Sequence, residues 1–168
     1  MSIEGIYLVK IIAVGIGATV IMDLWALMLR RVFKVMSLNF CLVGRWLIYM
    51  RDGVFRHKSI MSAQAKPAEC AVGWLAHYAI GIVFAFALLL MTSPSWLDQP
   101  TILPALLTGL VTISIPFFIM QPAFGMGIAA AKTPKPGQAR LRSLMTHSVF
   151  GLGLYLSALV LSIVFQGS

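Results

Sequence analysis

Four apolar stretches, each long enough to cross a bilayer, constrain this chain more than any other feature of it. They run over about 6–29, 71–92, 102–124 and 144–165, and about 20 helical residues suffice for about 30 Å of hydrocarbon. Composition agrees. Of the 168 residues, 60% are hydrophobic and 11% charged, whereas an ordinary soluble domain carries about 25% charged residues. A soluble enzyme, a disordered tail and a disulfide-rich secreted module are thereby excluded. The predicted fold class is an all-α membrane protein: four transmembrane helices in an antiparallel bundle, forming one membrane domain over 1–168.

The first stretch is N-terminal and apolar but reads as a retained helix. It lacks a basic segment before its apolar run, is too long for a signal peptide, and ends in Arg30-Arg31 instead of a small-residue cleavage site. Lys10, near its first turn, is expected to snorkel to the surface.

The net charge of +8 would suggest nucleic acid in a soluble chain, yet its distribution gives a different meaning. Eight of the 13 basic residues (Arg30, Arg31, Lys34, Arg45, Arg51, Arg56, Lys58, Lys66) fall between the first two stretches, and Lys132, Lys135, Arg140 and Arg142 fall between the last two. The connection over 93–101 carries Asp98 and no Lys or Arg. The positive-inside rule then makes the loops over about 30–70 and 129–143 cytoplasmic and puts both termini outside, the N-terminal one carrying Glu4. A multi-pass protein of the bacterial inner membrane is expected, in contact with the lipid bilayer, with anionic headgroups at the basic loops and without nucleic acid as a partner. Trp96, among Pro94, Pro100 and Pro104, suits an outer interfacial turn. Cys41 and Cys70 fall on the predicted cytoplasmic side, so free thiols are expected, not a disulfide.

Within the long loop, residues 38–50 read LNFCLVGRWLIYM, apolar but too short to span, bounded by Asn39 and by Asp52-Gly53. A helix lying in the cytoplasmic interface is expected, with Trp46 and Tyr49 at headgroup depth and Arg45 and Arg51 reaching phosphates. The alternative is an amphipathic helix packed on the loop. The second basic loop, AAAKTPKPGQARLR, reads as a short connector broken by Pro and Gly.

Polar groups inside spans are costly, and usually face protein or a water-filled cavity. Asp23, His77, Gln121 and His147 form a candidate intramembrane polar site, all four falling in the cytoplasmic half by residue count along their helices. Gly15, Thr19 and Asp23 share one stripe of the first helix; Gly73, His77 and Gly81 share one of the second, and His147 and Gly151 one of the fourth. Small residues on the stripe of each polar group let a neighbouring helix approach it closely. Pro116 and Pro122 interrupt the third helix, Pro122 freeing the Phe118 carbonyl beside Gln121. Each polar residue has a structural reading as well: Asp23 pairing with Arg30 or Arg31, Gln121 donating between helices, the two histidines bonding backbone carbonyls. No catalytic residue is assigned, since Ser148 directly follows His147 and neighbours in sequence do not face each other on a helix. The ten Met residues are scattered, without a copper-binding spacing.

The stretches MDLWALMLRRVF (from Met22), VGRWLIYMRDGVFRHKSI (from Val43), GWLAHYAIGIVFAF (from Gly73), MQPAFGMGIAAAKTPKP (from Met120) and LMTHSVFGLGLYLSA (from Leu144) resemble the bacterial integral-membrane family catalogued as domain of unknown function 2938. The resemblance covers nearly the whole chain and implies a four-helix inner-membrane protein, without importing an activity. Asp23, Arg45, His57, His77, Gln121 and His147 match the polar positions of that pattern, which adds Arg45 and His57 as a candidate cytoplasmic loop site.

Two function classes stand on these residues. One is a small transporter-like protein binding a cation, proton or polar solute through the intramembrane cluster, which with only four helices would need a homo-oligomer to enclose a path. The other is a non-enzymatic scaffold in which the basic loop and the 38–50 segment bind anionic lipid or a partner. A haem or metal protein, with His77 and His147 as ligands from facing helices, is a weaker third. Cofactor and metal are unassigned.

Overall fold

The computed structural model describes residues 3–166, all of them helical or in connections. Five helices carry the architecture: α1 over Ile3–Phe33, α2 over Phe40–Arg51, α3 over Glu69–Met91, α4 over Ile102–Ala123 and α5 over Pro136–Gln166. Four of them, all but α2, are long and apolar enough to cross a membrane. They pack together with the short α2 between the first two spans. Apolar side chains remain on the outside, Leu90 being 89% exposed and Leu75 74%, and hydrocarbon is the only solvent in which that arrangement is not penalised. The Glu4 side chain lies outside the described residues.

Where the helices begin and end follows local chemistry. Asn39 caps α2, its side-chain oxygen accepting from the Cys41 N–H at 3.0 Å. α2 ends at Asp52-Gly53, where Gly53 takes a positive φ of 75°. α5 starts at Pro136, eight residues before the apolar run expected at 144, because Pro at the first helical position has its φ already set and Gln138-Ala139-Arg140-Leu141-Arg142 are good helix formers. Hydropathy marks only the apolar part of a helix, so half of the expected connector is helical. In α4, residues Pro116–Met120 form a π turn, with the Gln121 N–H donating back to Pro116 O. The prolines widen this helix by a residue without ending it.

The chain forms two compact units, residues 1–36, 78–112 and 146–168 in one, 37–77 and 113–145 in the other. In the first, α1 meets α3 and α5 through small residues. A Cβ added to Gly15 would stand 2.6 Å from Ile82 Cα, and one added to Gly81 2.1 Å from Thr19 Oγ1; on the other flank Gly153 abuts Ala18. Gly109 of α4 likewise approaches Gly151 and the His147 carbonyl of α5. Between these seams Ile11, Val14, Leu88, Phe150 and Leu154 fill the core.

Two expectations for this unit are corrected. Lys10 does not snorkel: it is 8% exposed and its Nζ donates to Asp98 Oδ1 at 2.9 Å, while the Tyr7 hydroxyl donates to Asp98 Oδ2 at 2.7 Å. A carboxylate delivered by the α3–α4 connection makes burying the ammonium cheaper than stretching it to water. Trp96 stands in the expected short turn, Pro94–Leu97, but its ring does not face outward. It sits in the core, 6% exposed, its indole N–H donating to Thr101 Oγ1 at 3.3 Å.

The Tyr7 hydroxyl first, then Lys10, holds the Asp98 carboxyl below its ordinary range. A carboxyl lowered on folding contributes stability that is full above the unfolded value near pH ~4 and is lost as pH falls through the folded value. Thermal unfolding in detergent from about pH 5 to about pH 3 should therefore cost the wild type more than Asp98→Asn. Parallel curves for the two would show that the cluster adds nothing to stability.

Candidate functional site

The site residues expected from the sequence fall in both units, Asp23 and His147 in the first, His77, Gln121, Arg45 and His57 in the second.

Asp23 has a partner on α3: the hydroxyl of Tyr78 donates to its Oδ2 at 2.9 Å. The Gly15/Thr19 stripe meeting Gly81 brings α3 close enough for this bond. The Thr19 hydroxyl itself donates to the Gly15 carbonyl at 2.8 Å and so takes nothing from the Asp23 carboxylate. His147 has Thr112 as its partner, Nδ1 lying 2.8 Å from Oγ1. That hydroxyl also donates to Gly109 O at 2.6 Å. A hydroxyl has one proton, so with it on the carbonyl the ring must donate from Nδ1 and keep Nε2 as a lone-pair acceptor. In the sequence Tyr78 and Thr112 are marked by position alone, Tyr78 beside His77 and Thr112 within an apolar run.

In the second unit α2 runs back along α3. The Phe40 ring stacks on His77 with centroids 3.9 Å apart and tilts onto Trp74 at 4.8 Å. One turn further, Gly44 and Gly73 meet with no room for a side chain: a Cβ on Gly44 would stand 1.8 Å from Glu69 O, and one on Gly73 1.8 Å from Phe40 O. Arg45 then forks onto Glu69, Nε to Oε2 and Nη2 to Oε1, both at 2.8 Å. Its remaining nitrogen, Nη1, donates to Ala63 O at 2.8 Å and Ile60 O at 3.1 Å. Arg45 therefore does not reach lipid phosphates, as expected of it; a bidentate carboxylate and two carbonyls occupy four of its five N–H groups. Trp46 donates to Phe55 O at 2.9 Å and Tyr49 to Gln64 O at 3.2 Å. The GRW motif is thus a clasp for the segment that follows it.

That segment is pinned on its other side by the turn after α4. His57 N–H donates to Ala123 O at 2.8 Å and Ile60 N–H to Phe124 O at 3.2 Å. Gly125, at φ 85°, lies so close that a Cβ there would stand 2.1 Å from Lys58 O, so both conformation and space require glycine. The His57 ring packs edge-on to Tyr49 at 4.9 Å, and its Nε2 is buried without a hydrogen-bond partner. Gln121 is similarly placed: Nε2 donates weakly to Ser143 Oγ at 3.5 Å, while Oε1 is buried and unpartnered. Lys66 bridges to Asp52 at 2.7 Å and lies over the Tyr49 ring at 4.3 Å. The bond to Lys66 holds the Asp52 carboxyl below its ordinary range.

The expectation of free thiols is overturned. Cys41 and Cys70 are joined, with S–S at 2.04 Å. The Gly44/Gly73 contact and the Arg45–Glu69 fork bring the first turns of α2 and α3 side by side, a proximity that compartment does not reveal. Among the described residues, no group of three or more His, Cys, Asp or Glu side chains is placed to hold a metal ion.

With both partners little exposed, 12% and 13% at the side chains, removing either Arg45 or Glu69 should strand a charge and cost about 2–4 kcal/mol. The double variant Arg45→Met/Glu69→Leu should recover much of that loss in thermal unfolding. Additive losses would show that the two side chains do not interact.

No curated protein and no solved structure matches this chain. A family model does, the one described as Protein of unknown function (DUF2938), over residues 12–161. Its match takes in α2, both basic loops, the second and third spans and most of the first and fourth, and the chain belongs to that family.

Proposed function

We propose that this protein is a small transporter-like membrane protein in which Asp23, with Tyr78, forms a binding element for a proton or another small cation. The observation that carries this reading is the carboxylate itself. Asp23 stands within a helix of mean hydropathy 2.1 over its apolar window, where an ionisable side chain is costly and is retained chiefly for function. The Tyr78 hydroxyl, donating to Oδ2 at 2.9 Å, orients the carboxylate at the α1–α3 seam. His147, held by Thr112, is a second polar group in the same unit.

The basic loops set the orientation: they lie at the cytoplasmic face of a bacterial inner membrane, both termini lie outside, and a homo-oligomer encloses the path. A second reading, lipid anchoring, is favoured by one feature. Arg30, Arg31 and Lys34 line a surface recess with Leu27 and Met36, and Lys34 closes α1 in a left-handed conformation at φ 55°. Cations beside apolar walls suit the phosphate and upper acyl chain of an anionic lipid.

Purified protein in vesicles loaded with a pH-sensitive dye tests the first reading. An imposed proton gradient should dissipate faster with wild type than in empty vesicles, and Asp23→Asn should lower the protein-dependent rate at least ~10-fold with its fold retained by size-exclusion chromatography. Equal rates for the two proteins would refute it. Repeating the assay with and without phosphatidylglycerol separates the lipid reading, which predicts a dependence on that lipid that Arg30→Gln/Arg31→Gln abolishes.

A further inference from the structure

α2 is fastened to the start of α3 more than once. Arg45 spends two of its three guanidinium nitrogens there, on Glu69, and the Gly44/Gly73 contact supplies close packing, so the covalent bond between Cys41 and Cys70 is not needed to form the pair of helices. Both sulfurs stand in the first turn of their helices, Cys41 in Phe40–Arg51 and Cys70 in Glu69–Met91. Free backbone N–H groups at a helix start stabilise a thiolate, the form that enters thiol exchange. The two differ in access: Cys70 is exposed to solvent and Cys41 is half-buried, so an incoming thiol meets Cys70 first. The surrounding loop carries eight of the 13 basic residues, which the orientation proposed above places in the reducing cytoplasm. A disulfide persisting there is characteristically a reversible one.

We infer that Cys41–Cys70 is a thiol–disulfide exchange site, and that its state sets how firmly Phe40 covers the His77 ring. The inference rests on the proposed orientation and is independent of the Asp23 reading. In the reductive direction the thiolate of a small cytoplasmic thiol attacks Cys70 Sγ, the protein S–S bond breaks, and Cys41 leaves as a thiolate that takes a proton. A second thiol attacks the mixed disulfide and releases Cys70. Overall, one protein disulfide and two thiols give two protein thiols and one small-molecule disulfide, with two electrons and two protons passing to the protein. Phe40 directly precedes Cys41, and its ring lies 3.9 Å from His77. Freed of the bond, the first turn of α2 keeps the Arg45 clasp at one end and becomes mobile at the other, uncovering one face of an imidazole at the start of a membrane span.

The test uses purified full-length protein in lipid nanodiscs, equilibrated in glutathione buffers of defined ratio. Trapping with a maleimide polymer reads the thiol state, and hydrogen exchange reads the amides of residues 40–44. The pair should reduce at a ratio of about 100:1 reduced to oxidised glutathione, and exchange of those amides should quicken at least ~10-fold while residues 45–51 change little. Cys41→Ser/Cys70→Ser should exchange like the reduced wild type; the wild-type comparison stands without it should that variant misfold. Three results would overturn the inference: a bond that survives the reducing buffer, reduction with no change at 40–44, or reduction and labelling of both cysteines in intact cells by reagents that cannot cross the membrane. The last would place the loop outside, whatever the outcome of the proton-flux assay.

Discussion

Helices that cross a bilayer gain nothing by burying more hydrocarbon against one another, since lipid is as apolar as leucine. What holds them is close contact of backbone with backbone, and this chain obtains it from small residues at regular spacing. Gly15 on Ile82, Gly81 on Thr19, Gly153 on Ala18 and Gly109 on Gly151 leave no space for a methyl group. The polar chemistry depends on these seams. Asp23 reaches the Tyr78 hydroxyl one turn beyond the Gly15/Thr19 contact with Gly81, and His147 reaches Thr112 one turn beyond the meeting of Gly109 with Gly151. A larger residue in either seam would separate the helices and with them the polar partners.

The same device recurs where charge is affordable. α2 meets α3 through Gly44 and Gly73, but here a guanidinium–carboxylate fork and a disulfide stand beside the glycines. Arg45 also binds two carbonyls of the loop that follows, so a single side chain ties that loop to the helix pair. His57 and Ile60 carry the loop onward to the turn after α4. The long basic segment is thus an ordered body with its own small core of Val43, Ile60, Ala123 and Phe124.

How far the residues alone could be read depends on whether a feature is local. The four spans, the bounds of α2 at Asn39 and Asp52-Gly53, and the disturbance of α4 by its prolines are written in hydropathy, capping and missing N–H groups, all of which act within a few residues. Partnerships across the chain are not. Nothing near Arg45 announces Glu69, 24 positions away, nothing near Lys10 announces Asp98, and nothing near Cys41 announces Cys70. The start of α5 at Pro136 was hidden for another reason: Arg140 and Arg142 are poor membrane residues and good helical ones, and hydropathy registers only the first property. Of the candidate sites, the sequence indicated the costly residues, Asp23 and His147, but not the hydroxyls that meet them.

At the α1–α3 seam an intramembrane carboxylate meets a tyrosine hydroxyl, Asp23 with Tyr78. A double-mutant cycle on Asp23→Asn and Tyr78→Phe, read by unfolding in a mild detergent, addresses that bond alone. A direct hydrogen bond to a charged acceptor predicts a coupling energy of about 1–2 kcal/mol. Losses that simply add would contradict it.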